Sequence, residues 1–222
     1  MEKYPLQLQT EPFTIEREWA IDAIPVLTAN ISVPQPVLTS GANLRRIRRF
    51  YRLQARAYLR YCERRLFPLA RQEYVAAQSV SAPLPCFHAA LTYQITYNEN
   101  NLWSLYTQSR EALGSGCAFL SRYGDTWDLS SGSPVPLNRF FPSVKKWKKT
   151  FFKCAAQEIS RQESSGISRY HPDWQKRLHR CFNSRNFYLT PEGITVFYPM
   201  YSIAPPVEGI PVFTIPFDLP CQ

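Results

Sequence analysis

The sequence has only three histidines, at positions 88, 171 and 179, and their spacing fits no zinc or hydrolase pattern. It has no C-x-x-C pair, no G-x-S-x-G elbow and no glycine-rich phosphate loop. The common local signatures of zinc binding, serine hydrolysis and nucleotide binding are therefore missing. Glycine is scarce too, with 8 against 19 prolines, which predicts stiff loops and sharply ended strands. No stretch has the apolar length that crosses a bilayer. The opening MEKYPLQLQTEP has no basic region followed by an apolar one, so it does not read as a secretory signal. The expectation is a chain without a membrane span that stays in the cytoplasm. Neither a repeat nor a low-complexity tract is visible.

What is present is globular in kind. The apolar fraction is 45% and the charged fraction 19%, enough for one good-sized core. The six cysteines (Cys62, Cys86, Cys117, Cys154, Cys181, Cys221) are scattered singly. In a reducing compartment they read as small apolar packing residues, and their even number leaves pairing open after export. The net charge of +9 is unevenly placed. Residues 41–71 hold ten arginines against the single acid Glu63, and residues 144–153 hold five lysines and no acid. Residues 186–222 hold three acids and no Lys or Arg. Two basic segments of this kind favour an anionic partner.

Residues 13–33 read as one or two strands, closed by Pro34 and Pro36. Ser40 is a plausible N-cap for a helix running to about Gln78. Leu44, Ile47, Tyr51, Tyr58 and Cys62 recur at helical spacing as its apolar stripe, and Pro68 should kink or split it. Three strands follow, Cys86–Asn98, Leu102–Arg110 and Gly116–Leu129, joined by short polar turns as in an antiparallel meander. A second helix spans Ser143 to about Gln162, with Val144, Trp147, Phe151 and Ala155 facing inward. A short helix near Pro172–Cys181 comes next. Asn186–Thr190 and Ile194–Tyr198 then form a hairpin, and Pro211–Phe217 a last strand. This order is α+β: antiparallel sheets packed against one long N-terminal helix and a second helix in the C-terminal half. The halves divide near 111/112, as residues 1–111 and 112–222 of one compact unit.

From residue 86 onward three stretches carry a family likeness. The first is Tyr97–Leu105. The second is Trp127–Gly132 followed by Leu137–Phe141. The third runs from Asn186 through Ile194 into Phe197–Pro205, with Gly209 and Ile215–Phe217 beyond it. Together they resemble the domain shared by RsiV-type anti-sigma factors and PdaC-type peptidoglycan deacetylases, a domain of unknown function. The resemblance spans about residues 12–218. It implies a non-enzymatic binding or sensor module whose partner is a protein or a cell-envelope glycan; the missing ligand spacings add the expectation of no metal and no cofactor. Relatives of that family are extracytoplasmic. Many also carry a Gly-Gly-Ala-His-like turn; here the matching Ser115–Ala118 has no histidine.

Two candidate binding surfaces emerge. In the loop Tyr198–Gly209 the prolines limit the entropy lost on contact, while Tyr198, Met200 and Tyr201 offer contact area. Pro199, Tyr201, Pro205 and Gly209 are its expected recognition residues, and a structural crossover with Tyr201 in the core is the competing reading. On the long helix, Arg45, Arg49, Arg52 and Arg56 could form an anion face. Nucleic acid is the alternative partner there, and a merely solvated face the bland reading. Asp125 and Asp128 alternate to opposite faces of their strand, which disfavours a catalytic pair and leaves Asp128 to cap the Ser130–Gly132 turn.

Overall fold

The computed structural model describes residues 7–37, 42–114, 118–141 and 147–217. Ser40, Ser115–Cys117, Pro142–Lys146 and Asp218–Gln222 lie outside the described residues. The expected N-cap Ser40, the helix start Ser143 and its stripe residue Val144, and Cys117 and Cys221 all fall there.

The chain opens with β1 (Thr10–Ile21) and β2 (Ile24–Pro36), paired antiparallel. Asp22 and Ala23 both have positive φ, the two-residue hairpin geometry whose twist matches that of the strands. On β2, Leu27, Ala29, Ile31 and Val33 alternate into the core. The long helix then forms in three parts: α1 (Ala42–Tyr61), a π-helical segment Cys62–Leu66, and α2 (Phe67–Ser79). The helix is not split at Pro68: its backbone is helical through Tyr61, Leu66 and Phe67, and the irregularity is the π segment just before the proline. Pro68 sits in the first turn of α2, directly after the π segment. The Phe67 N–H reaches back to the Cys62 carbonyl.

Next come β3 (Phe87–Glu99), β4 (Leu102–Ala112), β5 (Phe119–Asp128) and the two-residue β6 (Ser133–Pro134). Asn100 and Asn101 take positive φ in the tight turn between β3 and β4. The six strands form one sheet in the order β1-β2-β3-β4-β5-β6. In one respect it departs from the all-antiparallel expectation: β2 and β3 pair in parallel, Leu27–Ile31 against Phe87–Leu91. The helical segment 42–79 is the crossover such a pairing requires, because a tight turn can only reverse a strand. The helices α3 (Trp147–Ser164) and α4 (Trp174–Arg180) follow. A second, three-stranded antiparallel sheet closes the described chain: β7 (Phe187–Thr190), β8 (Gly193–Phe197) and β9 (Val212–Ile215), in sequence order.

Contacts divide the chain into two compact units. One contains residues 8–93 and 107–120; the other contains residues 94–106 and 121 onward. In the first, Ile47, Tyr51, Ala55 and Cys62 of the long helix are fully buried. Leu66, Ala70 and Tyr74 join Val26, Leu27, Phe87 and Ala89 in its core. In the second, Phe151, Ala155 and Ile159 of α3 and Trp174 and Leu178 of α4 pack on Leu189, Ile194, Val196 and Phe213 of the three-stranded sheet. Each such aromatic or branched side chain contributes about 1.5–3 kcal/mol on full burial.

Candidate functional site

The loop after β8 is fixed from several sides. Tyr198 is fully buried, and its hydroxyl donates to the Leu178 carbonyl at 2.8 Å. Burial drives its phenol pKa far above the usual range. The Tyr198 N–H donates to Pro211 O, and the Ser202 N–H closes a turn on Pro199 O. The Ile203 carbonyl accepts from His171 N–H at 3.0 Å, and the Ser202 carbonyl from Arg177 Nη1 at 3.3 Å. Ile203 and Ala204 are buried beneath. A single 3-10 turn, Pro206–Glu208, ends at Gly209 with φ 70°. A side chain there would be strained, as expected for a glycine that turns the chain toward its last strand. Glu208 Oε1 accepts the Arg169 N–H at 3.1 Å.

This frame presents a small apolar rim. Pro199 is exposed, Tyr201 is 49% exposed and Val207 is 77% exposed, while Pro205 and Gly209 are partly buried. Tyr201 is therefore not a core residue. It sits at φ 69°, a left-handed conformation that costs a bulky side chain about 1–2 kcal/mol. Two of the side chains expected to offer contact area do not: Tyr198 and Met200 are buried, drawn inward by the hydroxyl bond and by the apolar core.

The second candidate is the outer face of α1. Arg45, Arg46, Arg49, Arg56 and Arg60 are exposed, as are Phe50, Leu53, Ala57 and Tyr61. Arg52 stands apart from its expected companions. Its Nε and Nη2 both donate to Gln35 Oε1, at 3.0 and 2.7 Å, and its guanidinium lies 5.1 Å from the Phe13 ring centre. It ties the helix to β1 and β2. The two ion pairs found among the described residues, Arg161–Glu158 and Arg177–Asp173, both lie elsewhere.

A buried polar row along β4 escaped the sequence reading. Thr107, Ser109 and Glu111 alternate along β4 and are all buried. Gln54 Nε2 donates to Thr107 Oγ1 at 2.8 Å, and the Tyr61 hydroxyl donates to Glu111 Oε2 at 3.0 Å. Burial raises the Glu111 pKa, opposed by the Tyr61 hydrogen bond. Burial also pushes the neighbouring Cys62 thiol up to about 12, with the Glu111 charge adding to it. The signal in the sequence was the Thr-x-Ser-x-Glu alternation, of which the expected strand Leu102–Arg110 took in Thr107 and Ser109 but stopped one residue short of Glu111.

Asp128 caps the Ser130–Gly132 turn, as expected. The Asp128 pKa is lowered first by the Ser130 hydroxyl, which donates to Oδ1, and then by the Ser130 N–H on Oδ1 at 2.8 Å and the Ser131 hydroxyl on Oδ2. His88 Nδ1 shares a 2.8 Å hydrogen bond with Thr28 Oγ1, and the His179 ring packs 4.0 Å from that of Phe152. Cys62, Cys86, Cys154 and Cys181 are unpaired. Among the described residues no three His, Cys, Asp or Glu side chains converge on a point, and no helix is long and apolar enough to cross a membrane.

No curated protein matches the sequence. Among solved structures, the fold is similar to that of a DUF3298-family member from Bacteroides fragilis NCTC 9343, with a TM-score of 0.63 and 14% identity over 95% of this chain and 90% of that one. It is also similar to a DUF3298 family protein from Pseudomonas aeruginosa PAO1, with a TM-score of 0.58 and 16% identity over 95% of this chain and 91% of that one. At these identities the likeness is one of fold. Residues 138–218, which carry α3, α4, the three-stranded sheet and the anchored loop, match the family described as a protein of unknown function (DUF3298).

Proposed function

We propose that the chain is a non-catalytic binding module of the RsiV-like kind, and that it engages a protein partner through the loop Tyr198–Gly209. One observation carries this reading. Tyr201 is a half-exposed aromatic in a strained left-handed conformation, on a loop whose backbone is otherwise anchored. Strain of this kind persists where the surroundings over-determine it, and it gathers at recognition sites. A pre-ordered loop loses little entropy on contact, and a rigid Tyr supplies much contact area. Pro199 and Val207 extend the apolar rim, and Gly209 sets the exit. From residue 186 to the end the sequence has no Lys or Arg, so the partner surface is neutral or cationic.

The test is capture from native lysate with the full chain and with Tyr201→Ala, at equal folded concentration. A protein retained by the wild type and lost with Tyr201→Ala supports the reading. A partner held equally by both refutes it.

A further inference from the structure

We propose that the outward face of α1 docks on the anionic head-group surface of a phospholipid membrane. The exposed side chains of this face fall into two rows, with Arg46 at the head of the second. Arg45, Arg49, Arg56 and Arg60 are spaced by four, seven and four residues, which keeps them on one strip of an α-helix. Phe50, Leu53, Ala57 and Tyr61 are spaced by three, four and four and form the strip beside it. Phe50 is 41% exposed, Leu53 49% and Tyr61 38%. The opposite side of the helix is committed to the core through Ile47, Tyr51 and Ala55.

The chemistry of the two rows selects the partner. Arginine binds phosphate oxygens through a planar fork and stays charged. No acid occurs in α1, so the basic row is not neutralised along its own helix. Nucleic acid would satisfy that row as well, but the rest of the face does not suit it. Every exposed residue of α1 is either Arg or one of Phe50, Leu53, Ala57 and Tyr61. No exposed Asn, Gln, Ser or Thr is available to read a base edge, and the Tyr61 hydroxyl is held by Glu111. Leu53 and Ala57 cannot stack on bases. A bilayer interface takes both rows at once: phosphates meet the arginines while Phe50 and Leu53 enter the acyl boundary. The 20 residues of α1 give a contact about 30 Å long. On α2, Leu69 and Val75 are also exposed, at 37% and 56%.

The experiment is co-sedimentation of the full chain with vesicles of phosphatidylcholine alone and of phosphatidylcholine with phosphatidylglycerol, with circular dichroism to confirm folding. Binding is expected to the anionic vesicles only, falling as salt is raised. Changing Arg45, Arg49, Arg56 and Arg60 together to Gln should weaken it by about 600-fold, at about fivefold per arginine. Changing Phe50 and Leu53 together to Ser should weaken it by about tenfold. The salt titration needs no variant, so the proposal stays testable if the fourfold change fails to fold. Equal binding to neutral and anionic vesicles, or no binding to either, overturns the proposal. So does tighter binding to an oligonucleotide that the Phe50 and Leu53 changes leave untouched, which would make this a nucleic-acid face.

Discussion

Two tyrosines three residues apart give the sharpest test of the loop. Tyr198 is fully buried with its hydroxyl on the Leu178 carbonyl, whereas Tyr201 is about half exposed. Truncating a buried aromatic costs about 3–5 kcal/mol. Removing the Tyr198 hydroxyl also leaves the Leu178 carbonyl without its donor, for about 1 kcal/mol more. A half-exposed ring forfeits roughly half the burial, so Tyr201→Ala should cost about 1–2 kcal/mol. For a chain of this size each kcal/mol moves Tm by about 2–4 °C. Tyr198→Ala should therefore melt roughly 8–24 °C lower, and Tyr201→Ala only about 2–8 °C lower. The φ of 69° adds a second handle. At ordinary positions Gly is about 0.5–1 kcal/mol less stable than Ala. At a left-handed position that order reverses, so Tyr201→Gly should melt no lower than Tyr201→Ala. Scanning calorimetry on the four proteins decides it. A Tyr201→Ala loss matching that of Tyr198→Ala would mean that Tyr201 is structural, and the recognition role would fall with it.

Other changes probe the frame. A Cβ on Gly124 would lie 1.9 Å from the Phe187 carbonyl oxygen, so Gly124→Ala should cost about 3 kcal/mol in urea unfolding. The Ser104 hydroxyl accepts the Leu189 N–H at 2.8 Å and bonds Thr126 Oγ1 at 2.8 Å; Ser104→Ala leaves that buried N–H unmatched and should cost about 1–3 kcal/mol. Because the folded pKa of Glu111 is raised, the folded state binds its proton more tightly than the unfolded chain. Its contribution is therefore most favourable below the ordinary carboxylate range and is lost as pH rises through the raised value. Glu111→Gln should flatten this part of the stability–pH curve and stabilise the protein at neutral pH; an unchanged slope would refute it. With its thiol near 12 and no exposure, Cys62 should resist iodoacetamide in the native protein and react only after unfolding.

The helices were legible because burial imposes a period. Ile47, Tyr51 and Cys62, and Phe151 and Ala155, were placed inward from spacing alone, and they are buried. The turn residues were legible for a similar reason: Asn100–Asn101 and Gly209 mark backbone that few residues adopt. Pairing was not. Nothing local in Leu27–Ile31 says that its second neighbour is Phe87–Leu91 running parallel, since that choice belongs to the crossover between them. Nor did the sequence reveal that the hairpin and the last strand form a sheet of their own. The loop defeated periodic reasoning altogether. Prolines and a left-handed residue break the alternation after Tyr198, so Met200 turns in and Tyr201 turns out with no pattern to announce it.

The π-helical segment acts as a phase corrector. From Cys62 onward the buried positions Cys62, Leu66, Ala70 and Tyr74 recur every four residues, whereas an ideal α-helix repeats every 3.6. An uninterrupted α-helix would carry that row steadily around its axis and out of the groove above Val26, Leu27 and Phe87. The wider π turn absorbs about one residue of the excess and holds the row in line. The same surplus residue decides which length changes the helix tolerates. Deleting Glu63 would let a regular α-helix form with Ala70 and Tyr74 still in place, whereas one further inserted residue that the bulge could not take up would rotate everything after it by about 100°, swinging Ala70 and Tyr74 toward solvent. An irregularity in the hydrogen-bond ladder is thus the gear tooth that keeps one long helix meshed with its sheet from end to end.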